Sequence, residues 1–429
     1  MVRDGNEGAA TTTGRGAPPR GARIALTASL CAVFVISQFY RSAIAVIAPD
    51  LAAELGLSAE TLGLLTGAFF VAAALMQIPV GILLDRFGSR RVIPALLTSA
   101  VAGALILGAG RRPAVLILGQ FLIGLGCSGV FMGGLLAFSR WFPTDRFALV
   151  AATAIAVSNL GALFSGTPLA LAAAHFGWRV AIQASAGLTA VLALAVLVLV
   201  RDAPPGHAYF RRRSESLGET LHGLGAVLRD RDIRRILPLA FMAYSSMMAV
   251  RALWGGPYLA DIHGLGSVAR GNVLLAMSLA TLLGVLCYGP LDRLFDRRKP
   301  IVLAGGIVTV ATLAALALIS APPLWLTVVL FCLLAGVGAY YAILLAHGRA
   351  LFGDRLSGRA MTTINFATFS GAATVQVGSG ALIGLVPAGE AGGGHPELAY
   401  RLLFAVLASA LLIALSVYAR ARDTRPSES

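Results

Sequence analysis

Charge is what this 429-residue chain has least of: only 13% of its residues are Asp, Glu, Lys or Arg, where a soluble domain carries about a quarter. A chain so poorly charged and 57% hydrophobic has lipid as its main solvent, which excludes the ordinary soluble enzyme classes. Acids are the scarcer sign, 20 against 34 bases, and they fall in tails, loops or helix ends, as Asp50, Glu54, Glu60 and Asp423 do. No carboxylate stands in the middle of an apolar run, so a buried Asp or Glu able to carry a proton at membrane depth is missing. Cys31, Cys127, Cys287 and Cys332 all lie inside apolar stretches, at spacings that suit neither a disulfide framework nor a metal site. Met242, Met247, Met248 and Met277 are irregularly spaced with no histidine deep beside them, which reads as core filler rather than soft-metal ligands. Nucleotide-binding glycine loops and nucleophile constellations are lacking too. The chain is therefore read as a non-enzyme without cofactor or metal.

What is present is apolar length. Residues 1–22 are rich in Gly, Thr, Ala and Arg, lack the apolar core of a signal peptide, and read as a disordered cytoplasmic tail. From residue 23 the chain falls into runs of roughly 20 apolar residues, each able to span the hydrocarbon at about 1.5 Å per residue. Twelve are expected, at 24–48, 60–82, 92–110, 113–138, 147–172, 178–200, 236–259, 270–290, 300–320, 324–347, 360–386 and 398–419. They make an all-α integral membrane protein of two six-helix bundles, 23–200 and 236–420, joined by a polar linker at 201–235 and ending in a tail at 421–429. Within the linker, Ser216 and Glu219 have capping-box spacing, and Leu217, Leu221, Leu224 and Leu228 share one helical stripe. That pattern fits a helix lying on the membrane surface or a solvated connector.

The formal charge of +14 invites a nucleic-acid reading until the cations are placed. Most of the 34 Arg and Lys residues fall in the tails and in alternate loops, the linker foremost. That is the positive-inside pattern, so both termini are expected in the cytoplasm, with a bacterial inner membrane as the location and no nucleic-acid partner. The partners expected are the bilayer and a small-molecule solute, and the working unit a monomer.

The two bundles repeat one another. Pro49, Leu51, Ala52, Gly56, Leu57 and Gly63 recur as Pro257, Leu259, Ala260, Gly264, Leu265 and Gly271 at constant displacement. Asp85 and Arg86 recur as Asp292 and Arg293; Gly126, Phe142 and Gly161 return as Gly336, Phe352 and Gly371. Two parallel six-helix repeats are a known transporter plan, with the solute site near the midplane between them.

The loop after the second run reads Gly81-Ile-Leu-Leu-Asp85-Arg86-Phe-Gly88-Ser-Arg90-Arg91. It resembles the G-x-L-a-D-R-x-G-R-R signature of the major facilitator superfamily, and the resemblance extends over residues 24–420. It implies a conformational latch of Gly81, Asp85, Arg86, Gly88, Arg90 and Arg91, the Asp facing a helix N-terminus and the arginines pairing with acids. Alternatively those arginines serve orientation alone. The second copy, Asp292, Arg293 and Arg297, departs from the pattern, with Tyr288 and Phe295 at glycine positions.

Arginine inside a span costs about 2.5–3.5 kcal/mol on insertion scales, so such residues are functional candidates by default. Two qualify, Arg41 in the first run and Arg251 in the seventh. Arginines there resemble those of the organophosphate antiporters and anion:cation symporters of the same superfamily, which implies an anion grip by the guanidinium fork. A buried ion pair or a snorkelling headgroup contact is the plainer alternative. Counted from the shared proline, however, the partner of Arg41 is Ala249, not Arg251. Two residues turn a helix by about 200°, so without a bulge Arg251 points away from the cavity, toward the rim by Trp254. Gln38 lies on the face of Arg41, and Tyr244 and Met248 on that of Arg251. Tyr340 and Asn365 complete the substrate-binding candidates, with Gln77, Gln120, Asn159, Tyr341 and Gln376 as further polar residues in the runs. His347 is read as a titrating group or an interfacial hydrogen-bonder.

The expectation is a secondary transporter of a small organic anion or carboxylate-bearing zwitterion, working by rocker-switch alternating access. The alternatives are an efflux permease for a neutral or cationic compound and a non-transporting, receptor-like protein on the same scaffold.

Overall fold

A computed structural model describes residues 20–204, 225, 227–352, 354–387 and 394–424. Most of the polar linker, including Ser216, Glu219 and three leucines of its stripe, lies outside the described residues, as do most of the first tail and the end of the last; Leu228 is described and exposed. Helices carry nearly all of the described chain, and no strand occurs among the described residues. Lipid offers backbone groups no partners, so a spanning segment that is not a closed barrel must satisfy them within a helix.

Eleven helices are long and apolar enough to cross a membrane singly, and a twelfth span is a helix pair bent by 48°. In chain order they are α1 (Arg20–Leu55), α2 (Ala59–Leu75 with Gln77–Phe87), α3 (Ser89–Ala109), α4 (Pro113–Trp141), α5 (Thr144–Phe164 with Thr167–Phe176) and α6 (Trp178–Leu199). The second half comprises α7 (Arg231–Asp261), α8 (Ser267–Phe295), α9 (Arg298–Leu318), α10 (Leu324–Ala350), α11 (Asp354–Gly384) and α12 (Glu397–Tyr418). The twelve spans expected from the apolar runs are these twelve.

Local signals set several ends. Asp230 caps α7, its carboxylate accepting from the backbone N–H groups of Asp232 (2.8 Å) and Ile233 (2.9 Å). Ser58 does the same for α2 through Thr61. Leu188, Val191, Leu194 and Val198 form an exposed stripe along α6, a face that water would not tolerate and lipid does.

We call the face where α1 begins and α12 ends the near face, and the opposite one the far face. The halves meet tightly toward the far face. A side chain at Gly63 of α2 would collide with the Gln376 carbonyl and with Gly380 of α11, so these two helices touch backbone to backbone, which only glycine permits. Thr167 of α5 donates to Asn272 of α8 (2.7 Å). Asp50, at the far end of α1, accepts from Arg270 (2.9 Å) and from the Ser267 hydroxyl (3.1 Å) of α8. On the near side of this seal the halves part around a cavity.

Candidate functional site

The cavity has a volume of about 310 Å³ and is walled by α1, α2, α4 and α5 on one side and by α7, α8, α10 and α11 on the other. Most of its lining is apolar, with Phe34, Phe69, Phe131 and Phe369 contributing rings. Five of the six predicted binding residues line it: Gln38, Arg41, Tyr244, Arg251 and Asn365. Asn159, Gln77 and Tyr341 line it as well, and no Asp or Glu does among the described residues.

Arg41 reaches from α1 across to the other half. Its Nη1 donates to the Tyr244 hydroxyl (3.3 Å), and its guanidinium carbon lies 5.5 Å from the Phe369 ring centre and 6.0 Å from that of Phe69, within cation–π range. Tyr244 is held by ring contacts with Tyr341 (5.1 Å) and Phe369 (6.5 Å). The Nε of Arg41 is buried without a partner.

Arg251 corrects the expectation that it points to the rim. Residues Val250–Trp254 form a π-helical turn, closed by the Gly255 N–H on the Val250 carbonyl. The widened turn separates two registers: counted from Pro257, Arg251 faces away, but counted from Tyr244 it shares a face with Tyr244 and Met248, and all three line the cavity. At the lip of the bulge the Gln376 side chain of α11 donates to the Met248 carbonyl (3.0 Å), the kind of insertion into a helix ladder that accompanies such defects. Trp254 turns elsewhere, donating to Ser379 (2.7 Å). Arg251 is 5% exposed, its Nε has no partner, and it lies within electrostatic range of Arg41 and Tyr244.

Tyr340 is the candidate the structure moves out. It ends a 3-10 turn, Gly338–Tyr340, and is fully buried with its ring against Gly305 of α9. The next residue, rotated by about 100°, is Tyr341, which takes the cavity position. His347 does not line the cavity either. Its Nε2 faces the Arg422 carbonyl (2.8 Å) and must donate, which leaves Nδ1 to accept from the Tyr418 hydroxyl (2.6 Å).

The near-face motif turns on Gly88. Gly88 adopts φ +76° between α2 and α3, a conformation that costs glycine nothing. The Asp202 carboxylate, just beyond α6, packs on Gly88 and accepts from the Arg90 backbone N–H (2.9 Å), capping α3. The Arg90 side chain donates to the Leu197 carbonyl (3.0 Å), while Arg86 lies over the Phe87 ring (5.2 Å). Gly81 and Asp85 belong to the last turns of α2, and Arg91 to the first turn of α3. The second copy echoes the cap: Asp423 accepts from the Lys299 N–H (2.9 Å) at the start of α9. Asp292 pairs with Arg298 (3.5 Å) rather than with Arg297, which stands exposed at the N-cap. The Arg293 side chain lies outside the described residues.

Two far-face braces were missed in the sequence. Glu54, ending α1, accepts from Trp178 Nε1 (2.6 Å) and Arg179 (2.9 Å), and Arg179 also donates to the Gly110 carbonyl (2.6 Å). In the other half Asp261, ending α7, accepts from the Tyr400 hydroxyl (2.6 Å), and Arg401 donates to the Ala317 carbonyl (2.7 Å). The available signal was the echo of Trp178-Arg179 in Tyr400-Arg401 behind an acid at each helix end.

Known proteins bear on this architecture at three levels. A bacterial homologue of the human lysosomal transporter Spinster, solved inward-facing and unoccupied, shares the fold at a TM-score of 0.71 and 17% identity, covering 94% of this chain and 97% of that one. A protein of Cupriavidus necator named as a probable sulfoacetate transporter is 27% identical over 308 residues, 68% of this chain and 70% of the relative. The hexuronate transporter of Bacillus subtilis is 24% identical over 247 residues, 54% of this chain and 55% of its own length. Residues 30–376 match the family described as Major Facilitator Superfamily. With twelve spans in two repeated halves around a central cavity, the chain belongs to the Major Facilitator Superfamily.

Proposed function

We propose that this protein is a secondary transporter of small organic anions that works by alternating access. The observation that carries the reading is the charge of the cavity: Arg41 and Arg251 line it, and among the described residues no carboxylate does. A guanidinium in an apolar chamber is expensive without a counter-ion, so the chamber suits a solute that brings its own negative charge and repels a cationic one. Two of the relatives are named for anions, sulfoacetate and hexuronate, which supports the same class.

On this reading the near face is cytoplasmic and the conformer is open inward, with Asp50, Ser267 and Arg270 closing the far side. Rocking of the halves breaks that seal and closes the near side, where the Gly88–Asp202 contact keeps α2, α3 and the end of α6 moving as one body. Arg41 grips the anion by its two-pronged fork and exchanges the Tyr244 hydroxyl for it.

The test is counterflow of a panel of organic anions in proteoliposomes with Arg41→Ala and Arg41→Lys. Loss of a charge-assisted contact in a buried site lowers uptake by about thirtyfold or more in Arg41→Ala, with Arg41→Lys in between because lysine lacks the fork. Undiminished transport of every anion by both variants overturns the reading.

A further inference from the structure

We infer that the solute is an organic dianion whose two acidic groups are separated by a short spacer, held lengthwise with one group at Arg41 and the other at Arg251. This rests on the anion reading above and adds how many charges the solute carries and how they are spaced.

The number follows from counting. Two guanidiniums line the cavity and no acid does among the described residues. Arg41 has one hydroxyl for a partner, and Arg251, almost wholly buried, has an unpartnered Nε. A single negative charge leaves one of these cations uncompensated in a chamber lined mainly by apolar side chains. Uncompensated buried charge is the costly case.

The spacing follows from how the two repeats pack. Gly161 of α5 sits so close on the Val35 carbonyl of α1 that any side chain there collides with it, and its repeat partner Gly371 of α11 sits the same way on the Phe241 carbonyl of α7. These matched contacts register the near halves of α1 and α7 without reference to Pro49 and Pro257. By that register Met247 is the counterpart of Arg41, and Arg251 stands four residues farther along α7, about one turn or 6 Å deeper toward the far face. The arginines are therefore not mirror images closing on one oxyanion. They are staggered along the transport axis, as two separated acids require. A stagger of about one turn, roughly 6 Å, corresponds to a spacer of a few atoms.

The test is binding to the purified full-length chain at pH 7.5, read by thermal shift and by competition in counterflow. The probes are succinate, tartrate and sulfoacetate; for each, the analogue with one carboxylate replaced by an amide; and inorganic sulfate and phosphate as single-centred anions. At least one two-centred dianion is expected to bind about thirtyfold or more tightly than its amide and than sulfate. Arg251→Gln is expected to cost that dianion about thirtyfold and bring it level with its amide, and Arg251→Lys to restore part of the preference. If Arg251→Gln does not fold, the comparison within the wild type decides. The inference is overturned if an amide or sulfate binds as tightly as the dianions, or if Arg251→Gln leaves the preference intact, and in both cases the anion reading stands. Binding of no anion of any kind removes the anion reading and this inference with it.

Discussion

The far-face braces and the cavity treat the internal repeat in opposite ways. At the far face the halves agree: an acid ends α1 and α7, an aromatic-arginine pair opens α6 and α12, and that arginine holds carbonyls at the end of α3 or α9. In the cavity they disagree, with Arg41 against Met247 or Ala249 and Arg251 placed by a bulge that α1 lacks. Positions that hold each bundle together are symmetric, whereas positions that line the cavity are not. On the proposed function this is expected, since a solute with two unlike ends needs no symmetric site, whereas two bundles that pivot against each other need similar stiffness.

The contrast can be broken at its centre by moving the second arginine to the position the far-half repeat assigns it. The double substitution Ala249→Arg with Arg251→Ala is expected to transport as poorly as Arg251→Ala alone, about thirtyfold below wild type in dicarboxylate counterflow. Rescue would mean that the register from Pro257, not the bulge, governs the site.

A smaller effect is expected at the seal between the halves. Asp50→Asn or Arg270→Gln removes a partly exposed ion pair between α1 and α8, worth about 1–2 kcal/mol. That shifts the balance toward the far-open state and raises labelling of a cysteine placed at Ala48, in a background without native cysteines, by about 5- to 30-fold. Labelling no faster than in the parent would show that the backbone contact at Gly63 and Gly380 holds the seal unaided.

The smallest effect is expected at the braces, because both acids lie at the surface in contact with solvent. Glu54→Gln and Asp261→Asn should each lower stability by about 1 kcal/mol or less and shift the apparent Tm by a few degrees, about equally, with KM unchanged. A loss confined to one of the pair would end the claim that the braces are equivalent.

Much of this was legible beforehand, and the reasons are physical. Apolar length and the placing of arginines reveal spans because lipid admits so few alternatives, and Arg41 stood out because a charge in hydrocarbon has no cheap excuse. Arg251 was legible only as a conflict between two registers. The π turn resolves it, and Gln376, more than a hundred residues away, meets the Met248 carbonyl at its lip. Tyr340 was misplaced by one residue because the 3-10 turn before it shifts the helical phase. Asp202 was passed over because it lies in the linker while the helix end it caps belongs to another part of the chain.

The bulge in α7 also bears on how duplicated halves drift apart. Inserting residues into a regular helix rotates everything beyond the insertion, which in a packed bundle would scramble every contact on the far side. A π turn confines the change to one loop of the ladder, leaving Pro257 and Gly271 in step with Pro49 and Gly63. Duplicated bundles thus have a second route to divergence besides exchanging one side chain for another: they can alter the length of a single helix and keep the rest of the architecture in phase.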